Sequence, residues 1–369
     1  MIKNSLKKST IITFIFMLFF ICSTIFAGDK FLKGKILSLE HISIPENQEE
    51  NDVVKENHEF KVKILEGKYK NKIISIQHPI FFEESNNIPF EKNDNIVLLE
   101  DDSKTIYIVD YDKTGWFIGL SSIFIILTFL IAKGRGIKAI LALVITGIFI
   151  TKILVPLVIK GYPPILLSTV VAFLSCSITI ILMSGFSSKG FAAISGSFIG
   201  VLSAGILSYS FANFMRLSGF STPEIASMES FLNNINLKEL ISAGIILGSM
   251  GAVMDVAMSI SSSLSEIEMR DKTITRKELF KSGINIGSDI IGTMVNTLIL
   301  AYVGSSFITI ILLTIQDAEY PLIRLLNFEF IATEILRSLC GSIGILVAVP
   351  ATTYFFGVFN TNKKIEIIK

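Results

Sequence analysis

Two acidic residues stand inside long apolar runs of this 369-residue chain. Asp255 lies in Gly251-Ala-Val-Met-Asp255-Val-Ala-Met-Ser259, and Asp289 lies in Asn285-Ile-Gly-Ser-Asp289-Ile-Ile-Gly292-Thr-Met-Val-Asn296. An acid at the middle of a membrane helix costs roughly 2.5–3.5 kcal/mol on insertion scales, so it needs a partner or a purpose. Gly244, Gly248, Gly251, Asp255, Ser259 and Ser262 follow steps of three and four. On a helix they make one narrow stripe of small and polar groups. Its glycines are expected to admit a neighbouring helix closely. Asn285, Asp289, Gly292 and Asn296 form a second stripe, whose amides and carboxylate could hold a cation or a polar solute.

Depth links the two stripes. Asp255 lies nine residues before the expected cytoplasmic end of its span, about 13 Å by helix rise, and Asp289 lies about 8 Å into the next. If the two faces meet, the carboxylates share a dry site where like charge raises at least one pKa, which makes a proton- or cation-binding pair. The plainer alternative is that each acid belongs to a local hydrogen-bond network or to the membrane surface. Glu334 and Arg337, at i and i+3 in the last apolar run, read either as a self-paired ion pair near the outer surface or as an outer gate. Lys152 can snorkel outward past Pro156 and is assigned no role. The candidate solute- or ion-binding residues are therefore Asp255, Asp289, Asn285, Asn296, Ser259, Glu334 and Arg337.

Composition indicates the elements that position these residues. The chain is 51% hydrophobic and 18% charged, with mean hydropathy +0.63. Soluble proteins carry about 25% charge, and a single soluble core stops growing near 250–300 residues. An ordinary soluble enzyme and a disordered chain are excluded. Seven apolar spans are expected at 115–132, 137–159, 165–183, 190–215, 240–264, 284–315 and 329–358. Each reaches the ~18 residues that cross about 30 Å of hydrocarbon. The fourth, rich in Gly196, Gly200 and Gly205, is expected at the tightly packed centre.

Residues 1–27 read as a secretory signal or signal anchor, with Lys3, Lys7 and Lys8 before the apolar run Ile11–Ile21 and Ala27 at its end. Residues 28–114 carry 12 lysines against 18 acids and alternate apolar with charged residues, as in Phe60-Lys-Val-Lys-Ile-Leu. Strands are expected at 32–40, 58–66, 72–77, 95–99 and 105–109, with 46–57 as a solvated loop. The expected fold is thus a seven-span all-α membrane domain over 115–369. It is preceded by a small extracytoplasmic β-rich module over 28–114, a barrel or sandwich of the OB type. Twelve basic residues fall in the loops on one side of the spans, including Lys133, Arg135, Lys138, Arg270 and Lys281, against four on the other. The positive-inside rule then places the module outside and the C-terminus in the cytoplasm of a multi-pass cell-membrane protein. Between spans, 216–239 reads as an amphipathic helix on Met228, Phe231 and Leu232, either lying on the membrane or capping the bundle.

No cofactor is implied. The chain holds no GxxxxGK[ST], HExxH or GxSxG. Its three histidines and three cysteines are scattered, so a Cys/His zinc site is unsupported. No concentrated basic face marks a nucleic-acid partner.

Around Gly251-Ala-Val-Met-Asp255-Val-Ala-Met the chain resembles the YibE/F-like family of multi-pass membrane proteins. The segments Lys61-Val-Lys-Ile-Leu-Glu-Gly67, Tyr107-Ile-Val-Asp110-Tyr and Lys133-Gly-Arg-Gly-Ile-Lys138 support the resemblance over nearly the whole mature chain. It implies a bacterial integral membrane protein with a signal-like start and seven or eight spans. It implies no reaction.

The residues support three readings. The first is a non-enzymatic secondary transporter or permease for a small solute, a cation or protons. The second is an accessory protein whose outer module binds a membrane-protein or envelope partner. The third, and weakest, is an intramembrane aspartyl protease: Ile286-Gly287-Ser288-Asp289 lacks the first glycine of GxGD, and Pro350-Ala351 is followed by Thr352 where that class has Leu.

Overall fold

The computed structural model describes residues 30–43, 54–83, 87–219, 235–315 and 321–366. The expected signal segment 1–27 and the amphipathic residues Met228, Phe231 and Leu232 lie outside the described residues. Two compact units are present, Met1–Lys133 and Gly134–Lys369.

The first unit contains a five-stranded antiparallel sheet of β1 (Phe31–Ser43), β2 (Val54–Ile64), β3 (Ile73–Phe81), β4 (Asn95–Glu100) and β5 (Ile106–Tyr111), in the order β3-β2-β1-β4-β5. The alternation in β2 puts Phe60, Val62 and Ile64 inside and leaves Lys61 and Lys63 at the surface. Leu32, Ile36, Ile76, Ile96, Leu98 and Ile108 complete the core. All five expected strands form. The expected loop 46–57 is shorter than anticipated, because Val54–Asn57 already pair with β3. The sheet is open in its hydrogen bonding, with β3 and β5 as its edges. Glu100, nearly covered, accepts from Lys68 Nζ at 2.7 Å and Tyr69 Oη at 3.2 Å. Those donors hold its carboxyl below the usual range, the lysine most.

Helix α1 (Thr114–Ile148) begins where the composition turns apolar. Lys133 (φ 48, ψ −127) interrupts its helical backbone, and the two units divide just after it. A π-helical turn, Phe149–Leu154, continues directly into α2 (Val155–Ile159). The second unit goes on with α3 (Pro164–Ser184), α4 (Ser188–Phe214), α5 (Leu237–Arg270), α6 (Arg276–Ser305), α7 (Phe307–Ile315), α8 (Leu322–Leu326) and α9 (Glu329–Glu366). Ser187, Asn236 and Thr275 cap the starts of α4, α5 and α6, and Thr275 forms a reciprocal capping box with Glu278.

Among the described residues six helical stretches are long and apolar enough to cross a membrane: 114–159, 164–184, 188–214, 237–270, 276–305 and 329–360. Seven were expected. The difference lies at 114–159, which counts as one stretch although its helical backbone breaks at Lys133, where two of the expected spans adjoin. The expected loop 265–283 is also mostly helix. Only Asp271–Thr275 separates α5 from α6, and Arg270, Lys277 and Lys281 ride on their ends.

Inside the second unit, α9 packs along α4, α5 and α6. The shared core comprises Val201 of α4, Val253, Val256, Ile260 and Leu264 of α5, Leu279 and Leu298 of α6, and Ile345, Val349 and Phe356 of α9. Proline at 350 does not end α9.

Candidate functional site

The apolar side of α5 determines where its polar stripe goes. Val253, Val256, Ala257 and Ile260 are fully buried. Successive residues on a helix turn by about 100°, so Gly248, Gly251, Asp255 and Ser259 fall on the opposite, open side, and all four are exposed. Asp255 still lies within electrostatic reach of Cys176 on α3. Helix α6 is arranged alike: Gly283, Gly287 and Leu298 are buried, while Asn285, Asp289, Gly292 and Asn296 are exposed.

Each set of residues therefore shares one face of its helix, and the two helices pack against each other. Among the described residues neither Asp255 nor Asp289 has a hydrogen-bond or ion-pair partner. The hydroxyls beside them are occupied locally, since Ser288 donates to the Ile284 carbonyl and Thr293 to that of Ile290. What the arrangement offers is two open polar faces bearing two carboxylates, two carboxamides and the Ser259 hydroxyl, on helices whose other sides form the core.

Two of the three stripe glycines of α5 bring no helix close. A Cβ on Gly244 or Gly251 would meet nothing within 4 Å, whereas one on Gly248 would meet Tyr302 of α6. Close approach occurs through α4, as anticipated for it: a Cβ on Gly200 would stand 2.7 Å from the Gly344 carbonyl of α9. Gly283 and Gly287 of α6 make room for side chains of α9, those of Thr353 and Val349.

Glu334 and Arg337 are brought together, with Arg337 Nη2 3.6 Å from Glu334 Oε1. The sequence reading missed their third member. Tyr302 of α6 lies under the guanidinium, 5.9 Å from ring centroid to Cζ. Its hydroxyl sits over Gly248 of α5, where an added Cβ would stand 2.6 Å from it. A tyrosine near the end of an apolar run is the only signal the sequence carries for this, and it points equally to a membrane-interface anchor. Nearby, the Glu329 carboxylate accepts from the Ser218 and Gly219 backbone N–H groups at 2.9 and 2.6 Å, which ties the segment after α4 to the start of α9.

Membrane-length apolar helices packed into one bundle define a polytopic integral membrane protein. The family model of the YibE/F-like proteins matches residues 120–362, and the chain belongs to that family. The match begins within α1, so the β module lies outside it, a narrower span than the expected resemblance over nearly the whole mature chain. No curated protein and no solved structure matches the chain.

Proposed function

We propose that this protein is a non-enzymatic secondary transporter or permease that moves a small solute, a cation or protons across the cell membrane. One observation carries the reading: the polar stripes of α5 and α6, with Asp255, Ser259, Asn285, Asp289 and Asn296, lie on open helix faces without side-chain partners among the described residues. Lipid cannot solvate two carboxylates and two carboxamides, and intramembrane acids mark ion and proton pathways. Asp255 is the acid that takes up the proton or cation. Asp289, Asn285 and Asn296 line the route toward the Arg270–Arg276 end of the helices. Substituting Asp255 by Asn and measuring flux in proteoliposomes tests the proposal.

The topology completes the reading. The 114–159 stretch holds 46 residues, interrupted at Lys133; at 1.5 Å per residue that is about 69 Å of helix in total, twice the hydrocarbon thickness. It accordingly crosses twice, turning at Lys133. This makes seven crossings, with the β module outside, the C-terminus in the cytoplasm and residues 1–27 as the export signal. The module then closes as an OB-type barrel through β3 and β5.

A second reading, a binding role for the module, is favoured by one observation. Phe31, Leu39, Ile42, Ile73, Phe82 and Tyr107 are large apolar residues exposed on that unit. A co-purifying envelope protein lost on deletion of 28–114 would support it. The aspartyl-protease reading needs the two carboxylates to share a proton, and labelling by a transition-state aspartyl inhibitor would support it.

A further inference from the structure

The junction of Glu334, Arg337 and Tyr302 has binding capacity that the protein itself does not use. The ion pair is held by one contact of 3.6 Å, beyond hydrogen-bond length. Arginine–carboxylate pairs that serve only each other close to about 2.7–2.9 Å, often through two bonds. Here Glu334 Oε2, Arg337 Nε and Tyr302 Oη are all shielded from solvent and have no hydrogen-bond partner among the described residues. A buried polar group left unpaired is costly, and more so when charged. Three in one place make a poor packing device.

The three groups differ in kind. Glu334 Oε2 needs a donor, Arg337 Nε–H needs an acceptor, and the Tyr302 hydroxyl can serve either. Their complement is one small molecule with a cationic donor beside an anionic acceptor. The walls come from three helices: Gly248 of α5, Tyr302 of α6, and Glu334 with Arg337 of α9. One turn further along α9, Gly341 packs against α5 and α6. A Cβ there would stand 3.0 Å from Leu298 Cδ2 and 3.4 Å from Ser249 Cβ. Asp255 lies seven residues beyond Gly248, about 10 Å along α5, so this junction sits at the Gly248 end of the stripe, about two helical turns from its acid.

We propose that the junction binds a small zwitterionic solute of the ammonium–carboxylate class. Glu334 takes the ammonium group, Arg337 takes the carboxylate, and the Tyr302 hydroxyl bridges them. As an entry site for cargo the junction rests on the transporter reading, but binding is measurable without transport.

The test is ligand-dependent thermal stability of the whole purified protein, using glycine and γ-aminobutyrate as probes, with methylamine and acetate as single-charge controls. At least one zwitterion raises the melting temperature in the millimolar range, and neither control does at equal concentration. Arg337→Gln and Glu334→Gln weaken that response at least tenfold, and Tyr302→Phe weakens it severalfold while leaving the unliganded melting temperature in place. If Arg337→Gln does not fold, Arg337→Lys, which keeps the charge and loses the Nε–H, gives the same weakening. No response to either zwitterion, an equal response to acetate or methylamine alone, or undiminished binding in the Arg337 variants would overturn the proposal. Flux without zwitterion binding would sink this site and leave transport standing; binding without flux of any kind would do the reverse.

Discussion

Gly200 and Gly344 meet backbone to backbone. A Cβ on the first would stand 2.7 Å from the carbonyl oxygen of the second, and a Cβ on the second 3.0 Å from the carbonyl oxygen of the first. A backbone carbonyl inside a helix cannot swing away as a side chain does. Gly200→Ala therefore pushes α4 from α9, with an overpacking cost of about 1–3 kcal/mol. Gly251→Ala is the control: its Cβ meets nothing within 4 Å, and alanine is the better helix former by roughly 0.5–1 kcal/mol. Thermal melts of the detergent-purified protein should show Gly200→Ala melting below the parent and Gly251→Ala at or above it.

The β module should weaken in mild acid. His58 and His78 face each other across β2 and β3, and Glu56 Oε1 lies 3.1 Å from His58 Nε2. Burial, with a smaller push from His58, holds the His78 imidazole below its ordinary pKa of 6.5. The unfolded chain thus takes up a proton near pH 6.5 that the folded module resists. The contribution of His78 is complete above that pH and is lost as pH falls below it. Limited proteolysis of the whole protein should show the module cut progressively faster from pH 7.5 to pH 5. His78→Phe, which keeps the edge-to-face contact with Phe90 (5.1 Å between ring centroids), should flatten that dependence.

Labelling single cysteines with a membrane-impermeant maleimide, in a background lacking Cys22, Cys176 and Cys340, tests the double crossing of 114–159. Cysteines placed at Arg135 and at Gly161 should react from opposite sides of the membrane, with Arg135 reached from the cytoplasmic side. Protection of Arg135 from both sides would mean that the stretch crosses once.

Much of this was legible in the sequence. Alternation such as Phe60-Lys-Val-Lys-Ile-Leu gave the strands because each buried residue needs its charged neighbour on the other face. The stripe through Asp255 and Ser259 was readable for the same reason at helical period. Which way a stripe points was not. In water, polar faces turn outward by default, but in a membrane helix an apolar face suits lipid and protein equally. Only the packing of Val253, Val256 and Ile260 into the core shows that the stripe of α5 lies open. The glycines misled for a related reason: small residues permit close approach without requiring it, and Gly200 is used where Gly251 is not. Tyr302 escaped notice because its contacts with Gly248 and Arg337 join residues distant in the chain.

Flux in proteoliposomes tests the central claim most directly. Vesicles carrying the protein and an entrapped pH-sensitive dye are given, in turn, a proton, a sodium and a potassium gradient, and dye response is followed with and without added glycine. The account predicts protein-dependent proton or cation movement under at least one gradient, reduced at least tenfold in Asp255→Asn. Movement in Asp255→Asn equal to that of the parent, or vesicles no leakier with the protein than without it under every gradient, would contradict it.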